Sequence, residues 1–166
     1  MLKILDNGRL MFEDARIIWR NFSGENSQWE KDRTFTVVLT KEEADILSEE
    51  GWNVGFRQKD PEDDPLYFLK VKVGFDGKRP PKLVQLSSLS KRQTIITERS
   101  VKNWDWAEIV KVDFMVNPYH WEVNGKSGIK AYLHSMYMTI YEDELEARYS
   151  FDDANSEPEA EDDIPF

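Results

Sequence analysis

Apolar and polar side chains change places at every second residue along several stretches of this 166-residue chain. That period belongs to half-buried strands and not to helices, so it sets the range of folds available. From Phe12 to Phe22, Ala15, Ile17 and Trp19 alternate with Arg16, Ile18 and Arg20. From Arg33 to Thr40, Phe35, Val37 and Leu39 share one face. Leu66 to Phe75 sets Tyr67, Leu69, Val71 and Val73 opposite Phe68, Lys70 and Lys72. Ile109 to Val116 alternates until Pro118 breaks it, and Ile129 to Tyr141 supplies the final strand. Leu83 to Ser88 and Gln93 to Thr97 read as short extended segments. Asn124-Gly125 stands between two such runs and is a hairpin signal, because both residues accept a positive φ. Trp19, Phe35 and Phe114 lie on the apolar phase of their strands and are expected in the core.

One helix is signalled clearly. Thr40-Lys41-Glu42-Glu43 has the form of a capping box, in which the threonine hydroxyl accepts from the Glu43 amide and the glutamate accepts from the threonine amide. Ala44, Ile46 and Leu47 would form its apolar stripe, and Gly51 would end it in a left-handed cap. Trp52 to Arg57 is expected to continue extended. Asp60-Pro61-Glu62-Asp63-Asp64-Pro65 reads as a solvated loop, residues 77 to 82 as a turn, and Ser100 to Ala107 as a helical turn. Many strands joined by turns around few helices predict an all-β barrel or sandwich with small helical additions.

The formal charge of −10 matters only once it is located. Residues 1 to 141 hold 21 bases and 21 acids, so the whole excess lies after them, where eleven acids face the single base Arg148. Within the neutral body, residues 70 to 102 carry nine bases against Asp76 and Glu98. The sequence from Asp152 to Asp163 has no periodicity and no bulky apolar side chain, which predicts a disordered acidic tail over 151–166 behind one folded domain over 1–150. The absence of cysteine excludes a disulfide framework, a thiolate nucleophile and cysteine-ligated metals. No run approaches the roughly 18 apolar residues of a membrane span, and the N-terminus has no long apolar stretch, so no membrane partner and an intracellular location are expected.

Little in the sequence points to catalysis, and neither a cofactor nor a metal is expected. His120 and His134 lack metal-ligand spacing and read as packed or surface histidines. Gly125-Lys126-Ser127 resembles the end of a phosphate loop, but that motif needs a glycine where His120 stands. The acids at 60 to 64 lack an EF-hand's spacing and glycine. Single-stranded nucleic acid, in contrast, needs cations for phosphates beside aromatic faces for unpaired bases. Both are present: Phe68, Lys70 and Lys72 share a strand face, as do Arg16, Arg20 and Phe22. The long loops hold Trp29 with Lys31 and Arg33, and then Tyr119 and Trp121 with Lys126 and Lys130. Trp29 lies in a polar stretch, where it is either a plug or a residue awaiting a partner.

The last residues, Asp162-Asp163-Ile164-Pro165-Phe166, resemble the acidic tip of bacterial single-stranded-DNA-binding proteins. In that family the terminal Phe docks in a base-rimmed apolar pocket on replication and repair proteins. The body is similar instead to a phage-encoded single-stranded-DNA-binding protein family. The likeness runs through residues 15–24 (Ala-Arg-Ile-Ile-Trp-Arg-Asn-Phe-Ser-Gly), 32–35 (Asp-Arg-Thr-Phe), 51–54 (Gly-Trp-Asn-Val), 79–81 (Arg-Pro-Pro), 121–128 (Trp-Glu-Val-Asn-Gly-Lys-Ser-Gly) and 130–133 (Lys-Ala-Tyr-Leu). It spans most of residues 9 to 147. It implies a mainly β, five-stranded OB-fold Greek-key barrel with one or two short helices, which binds the polymer on its second and third strands and on the loops after strands one and four, here residues 23–33 and 117–130.

The expectation is a non-catalytic, sequence-tolerant coat for single-stranded DNA in phage replication, recombination and repair, in the cytoplasm of the bacterial host. Its DNA contacts would be Trp29, Lys31, Arg33, Lys70, Lys72, Arg79, Tyr119, Trp121, Lys126 and Lys130. Asp162, Asp163, Ile164, Pro165 and Phe166 would recruit replication and repair proteins, and the tail (152–166) would compete with DNA for the basic surface. The rival reading is a protein-interaction module or an acidic DNA mimic acting on a host enzyme. A mimic carries its negative charge over a folded surface, and here it is gathered at one end of the chain.

Overall fold

The computed structural model describes residues 1–25 and 32–154. Its strands are β1 (Leu2–Ile4), β2 (Leu10–Phe12), β3 (Ile17–Asn21), β4 (Thr34–Leu39), β5 (Val54–Arg57), β6 (Leu66–Lys72), β7 (Lys82–Ser87), β8 (Gln93–Ile96), β9 (Ile109–Val123) and β10 (Lys126–Ile140). Two α-helices, α1 (Lys41–Glu50) and α2 (Glu144–Ala154), and a 3-10 helix (Val101–Asp105) complete it. None of the described helices is long and apolar enough to cross a membrane.

The barrel follows from the pairing order β2-β9-β10-β6-β4-β3, because its two ends, β2 and β3, are halves of one stretch of chain. Counted as one strand, they make a five-stranded barrel whose first strand pairs with both the second and the fourth, the Greek-key arrangement of an OB fold. At the break between the halves, Asp14 takes a φ of 50° and Ala15 N–H donates to Val112 O at 2.8 Å, which stitches the closure. The β6–β10 seam is parallel and short, two residue pairs at Ala131–Tyr132. Beyond it β10 runs beside β7 instead. β1 extends β2, β5 extends β6, and β8 extends β7.

Inward side chains fill the barrel. Phe12 stacks on Phe114 at 4.8 Å, Phe114 meets Phe35 edge-on at 5.1 Å, and Phe22 bridges Phe35 and Trp104 at 5.3 and 5.6 Å. Leu69, Val71, Val112 and Met136 are fully buried around them. Each such side chain contributes about 1.5–3 kcal/mol relative to exposure. Trp104 places its indole N–H on Gln85 Oε1 at 3.0 Å, so its one polar atom is satisfied inside.

The expected elements are present, with corrections that have local causes. The single strand from Phe12 to Phe22 is two strands. A register shift between Ile18 and Asn21, with Trp19 at a φ of 49°, reverses the phase expected there. Trp19 is therefore 48% exposed, while Phe22 is fully buried, and Arg20 turns inward to donate to Trp104 O and Ala107 O at 2.9 and 2.8 Å. Phe35 and Phe114 are in the core as expected. In α1 the capping box and the Gly51 cap (φ 103°) both form, but Ile46 is exposed and the buried stripe is Ala44 with Leu47. Pro118 does not end its strand. The register with β2 stops at Val116, so the proline falls past it on an edge, where a missing N–H is tolerated. Residues 117–130 are accordingly not a loop but the end of a long hairpin, turned at Asn124 and Gly125 with φ of 52° and 80°. α2, where no helix was expected, starts from Asp143, whose carboxylate accepts from Glu146 N–H at 2.7 Å.

Candidate nucleic-acid interface

Leu69 and Val71 point into the core at 0% exposure, so the period of two turns Phe68, Lys70 and Lys72 outward. The register then lays out a face. Lys72 lies beside Thr34 of β4 and Tyr132 of β10, Lys70 beside Thr36, and Phe68 beside Val38. Tyr132 faces Asn117 of β9, and Lys130 faces Tyr119. Asp32, Thr34, Asn53, Phe68, Lys130 and Tyr132, with Lys70 and Lys72, line a groove of about 380 Å³.

The groove combines two aromatic pairs with a strip of ammonium groups. At one end Trp19 meets Phe68 edge-on at 5.2 Å, and the Arg57 guanidinium sits 5.6 Å from the Trp19 ring. Phe68 has room because Gly55 faces it across the β5–β6 pair. A Cβ on Gly55 would come within 2.2 Å of the phenyl ring. At the other end Tyr119 and Tyr132 lie 5.3 Å apart with rings tilted by 39°. Between them Lys72 Nζ lies 3.2 Å from Asp32 and 5.7 Å from the Tyr132 ring centre. Among the described residues three lysines and one aspartate line the groove, and the half-exposed rings offer π-faces to planar groups. Beside it, Arg79, Lys72, Asn117 and Tyr132 line an adjoining hollow of about 300 Å³. Behind that hollow, burial, and after it the charges of Arg9 and Arg79, push the His134 imidazole below its ordinary pKa and keep it neutral at pH 7.

The expected DNA contacts divide accordingly. Lys70, Lys72 and Lys130 meet in the groove, Tyr119 closes one end, and Arg79 stands next door. Arg33 is turned away: its guanidinium donates to Phe22 O at 2.9 Å, pairs with Glu98 at 3.6 Å and covers the Phe75 ring. Trp121 packs against Gly128, where a Cβ would lie 2.8 Å from the indole, and lines a separate hollow with Glu50, Gly51 and His120. Its indole N–H is buried without a hydrogen-bond partner among the described residues. Lys126 is exposed at the hairpin turn, away from the groove. Trp29, Lys31 and the tip residues Asp162 to Phe166 lie outside the described residues. The aromatic members Phe68 and Tyr132, which line the groove, and Trp19 with Arg57 beside Phe68, were not among the expected contacts. Phe68 and Tyr132 share the phase of Lys70, Lys72 and Lys130, a signal the sequence carried. Trp19 gave none, since the register shift that exposes it leaves no mark in the alternation.

Comparison with known proteins places this geometry. The sequence model of a family described as a phage ssDNA-binding domain matches residues 2–164. No curated protein sequence matches the chain. Among solved structures, the chain is similar to the single-stranded DNA-binding protein from bacteriophage Enc34 in complex with ssDNA, at a TM-score of 0.54 and 11% identity over 86% of this chain and 92% of that one. A C-terminal truncation of the same phage protein gives a TM-score of 0.52 and 10% identity over 84% and 90%. At such identities the likeness is one of fold.

Proposed function

The chain belongs to the phage ssDNA-binding domain family, and from that premise we propose that its groove over β4, β6 and β10 holds the single strand, with bases on the aromatic pairs and phosphates along the lysines. The observation that carries this reading is the meeting of Trp19–Phe68 and Tyr119–Tyr132 around Lys70, Lys72 and Lys130 on one outward face. Stacking contributes about 1–3 kcal/mol per base without regard to sequence, and phosphate contacts make affinity fall as salt rises. A rigid duplex buries its base faces within its own stack and has none to offer these rings, so the site selects unpaired strands. The Enc34 protein, seen with ssDNA, supports the choice of polymer.

In this reading the protein is a non-catalytic coat that protects single strands during phage DNA replication, recombination or repair in the host cytoplasm. Residues 162–166, with their acids and Ile-Pro-Phe end, recruit replication or repair proteins. Arg79 extends the phosphate track, and Trp29 and Lys31 are further contacts to the same strand. Arg33 and Trp121 support the fold beside the groove. An acidic mimic would present carboxylates where this face presents lysines.

The test is quenching of intrinsic tryptophan fluorescence by oligothymidine and by a duplex of equal phosphate count, over a range of salt. Strong quenching by the single strand with weak duplex binding is expected. Lys70→Ala and Lys72→Ala should each reduce the slope of log affinity against log salt by about 0.7. Unchanged slopes in both variants would remove the groove from the phosphate path.

A further inference from the structure

Trp106 is 79% exposed, more than any other large hydrophobic side chain among the described residues. Its exposure does not come from a loose backbone. Arg20 donates to the carbonyls of Trp104 and Ala107 on either side of it, Val101, Trp104 and Asp105 beneath it are buried, and Asp105 accepts from Phe22 N–H, Ser23 N–H and the Ser23 hydroxyl. An indole held out on a fixed support loses little conformational entropy when a flat partner settles on it. The hollow beside it, about 290 Å³, is lined by Ser23, Glu25, Lys102, Asn103, Asp105 and Trp106. Asp105 spends its oxygens on the Ser23 and Phe22 donors, which leaves the Lys102 ammonium, the Asn103 amide and the indole face to a ligand, with Glu25 at the rim. Ser23 and Glu25 open the β3–β4 connection, and Arg20 is the chain neighbour of Trp19. The hollow therefore lies a few residues along the chain from Trp19, at the start of the β3–β4 connection.

Resting on the reading of the groove as a single-strand site, we propose that Trp106 and Lys102 form a second, outlying site, at which an unpaired base stacks on the indole and its phosphate meets the ammonium once the strand is long enough to leave the barrel face. An aromatic face beside a cation suits a nucleotide, and the polar Asn103 and Ser23 suit any base edge. The site adds contacts for long strands and none for short ones.

The experiment measures binding of labelled oligothymidines of about 8 and about 30 nucleotides, short and long against the span of one OB fold. The proteins are the parent, Trp106→Ala, Trp106→Phe, Lys102→Gln and, as a control on the groove, Phe68→Ala. Trp106→Ala should weaken the long strand about tenfold and leave the short one unchanged, within the range of one lost stacking contact. Trp106→Phe should recover most of that loss, and Lys102→Gln should lower the salt slope for the long strand by about 0.7. Phe68→Ala should weaken both lengths. If Trp106→Ala matches the parent at both lengths while Phe68→Ala does not, the outlying site is overturned and the groove stands. Equal weakening at both lengths would also overturn it, by placing Trp106 in the primary path. If the parent binds neither length, the reading of the groove fails and this site with it.

Discussion

His134 sits on β10 with Nδ1 3.5 Å from the Asn117 amide nitrogen, while Arg9 donates to Asn117 Oδ1 at 2.7 Å. Burial first, then Arg9 and Arg79, lower its pKa in the folded protein, whereas in the unfolded chain it titrates near 6.5. Between the two values the unfolded chain binds more protons, so stability rises with pH there and is lost as pH falls below about 6.5. Urea midpoints measured from about pH 8 to pH 5 should decline in that range, and His134→Gln should flatten the decline. An equal slope in the variant would assign the loss to other groups. At this scale the sequence was partly legible. Lys70, Lys72 and Lys130 could be placed because alternation runs unbroken through β6 and β10. Trp19 could not, because one left-handed residue reverses its face. Arg33 shows the limit of such reading, since a cation beside a loop looks the same in sequence whether it faces solvent or, as here, donates to the Phe22 carbonyl.

Among the elements, α1 shows how far local signals reach. Thr40 Oγ1 accepts from Glu43 N–H at 3.1 Å, Glu43 Oε1 accepts from Thr40 N–H at 2.9 Å, and the other Glu43 oxygen accepts from Leu2 N–H at 3.1 Å, tying β1 to the helix. Thr40→Ala should cost about 1 kcal/mol in urea unfolding. It should leave single-strand affinity unchanged, since no α1 residue lines the groove. Coupled loss of affinity would show that α1 positions the groove. The capping box and the Asn-Gly turn were legible because each is decided within four residues. α2 carried a comparable signal in Asp143 and Glu146, but no apolar stripe of helical period follows it to mark a helix. The division of β2 from β3 was not legible, because it depends on a partner far along the chain, Ala15 against Val112, and β1, three residues paired locally with β2, is too short for alternation to show.

For the whole molecule, the separation of charge matters most: a body with as many bases as acids gathers Lys70, Lys72 and Lys130 on one face, and the acidic excess follows residue 141. A polyanionic segment tethered to a basic groove competes with any polyanionic ligand, and salt screens that competition. Removing residues 155–166 should tighten oligothymidine binding at low salt, with the difference shrinking as salt rises, and should abolish capture of partner proteins. A truncated protein that binds DNA no more tightly and keeps its partners would deny the segment both roles. Barrel closure by a single stretch of chain has a different consequence, in the order of events during synthesis. β2 leaves the ribosome early, yet Phe12 pairs with Phe114, about a hundred residues later, and contacts so distant in sequence form slowly. Until β9 emerges, β2 has only β1 beside it, and Leu10 and Phe12 lack the β9 side of their cover. The nascent chain thus passes through a stage with exposed apolar surface, the kind that chaperones bind, and the β9–β10 hairpin, whose pairing is local, ends that stage.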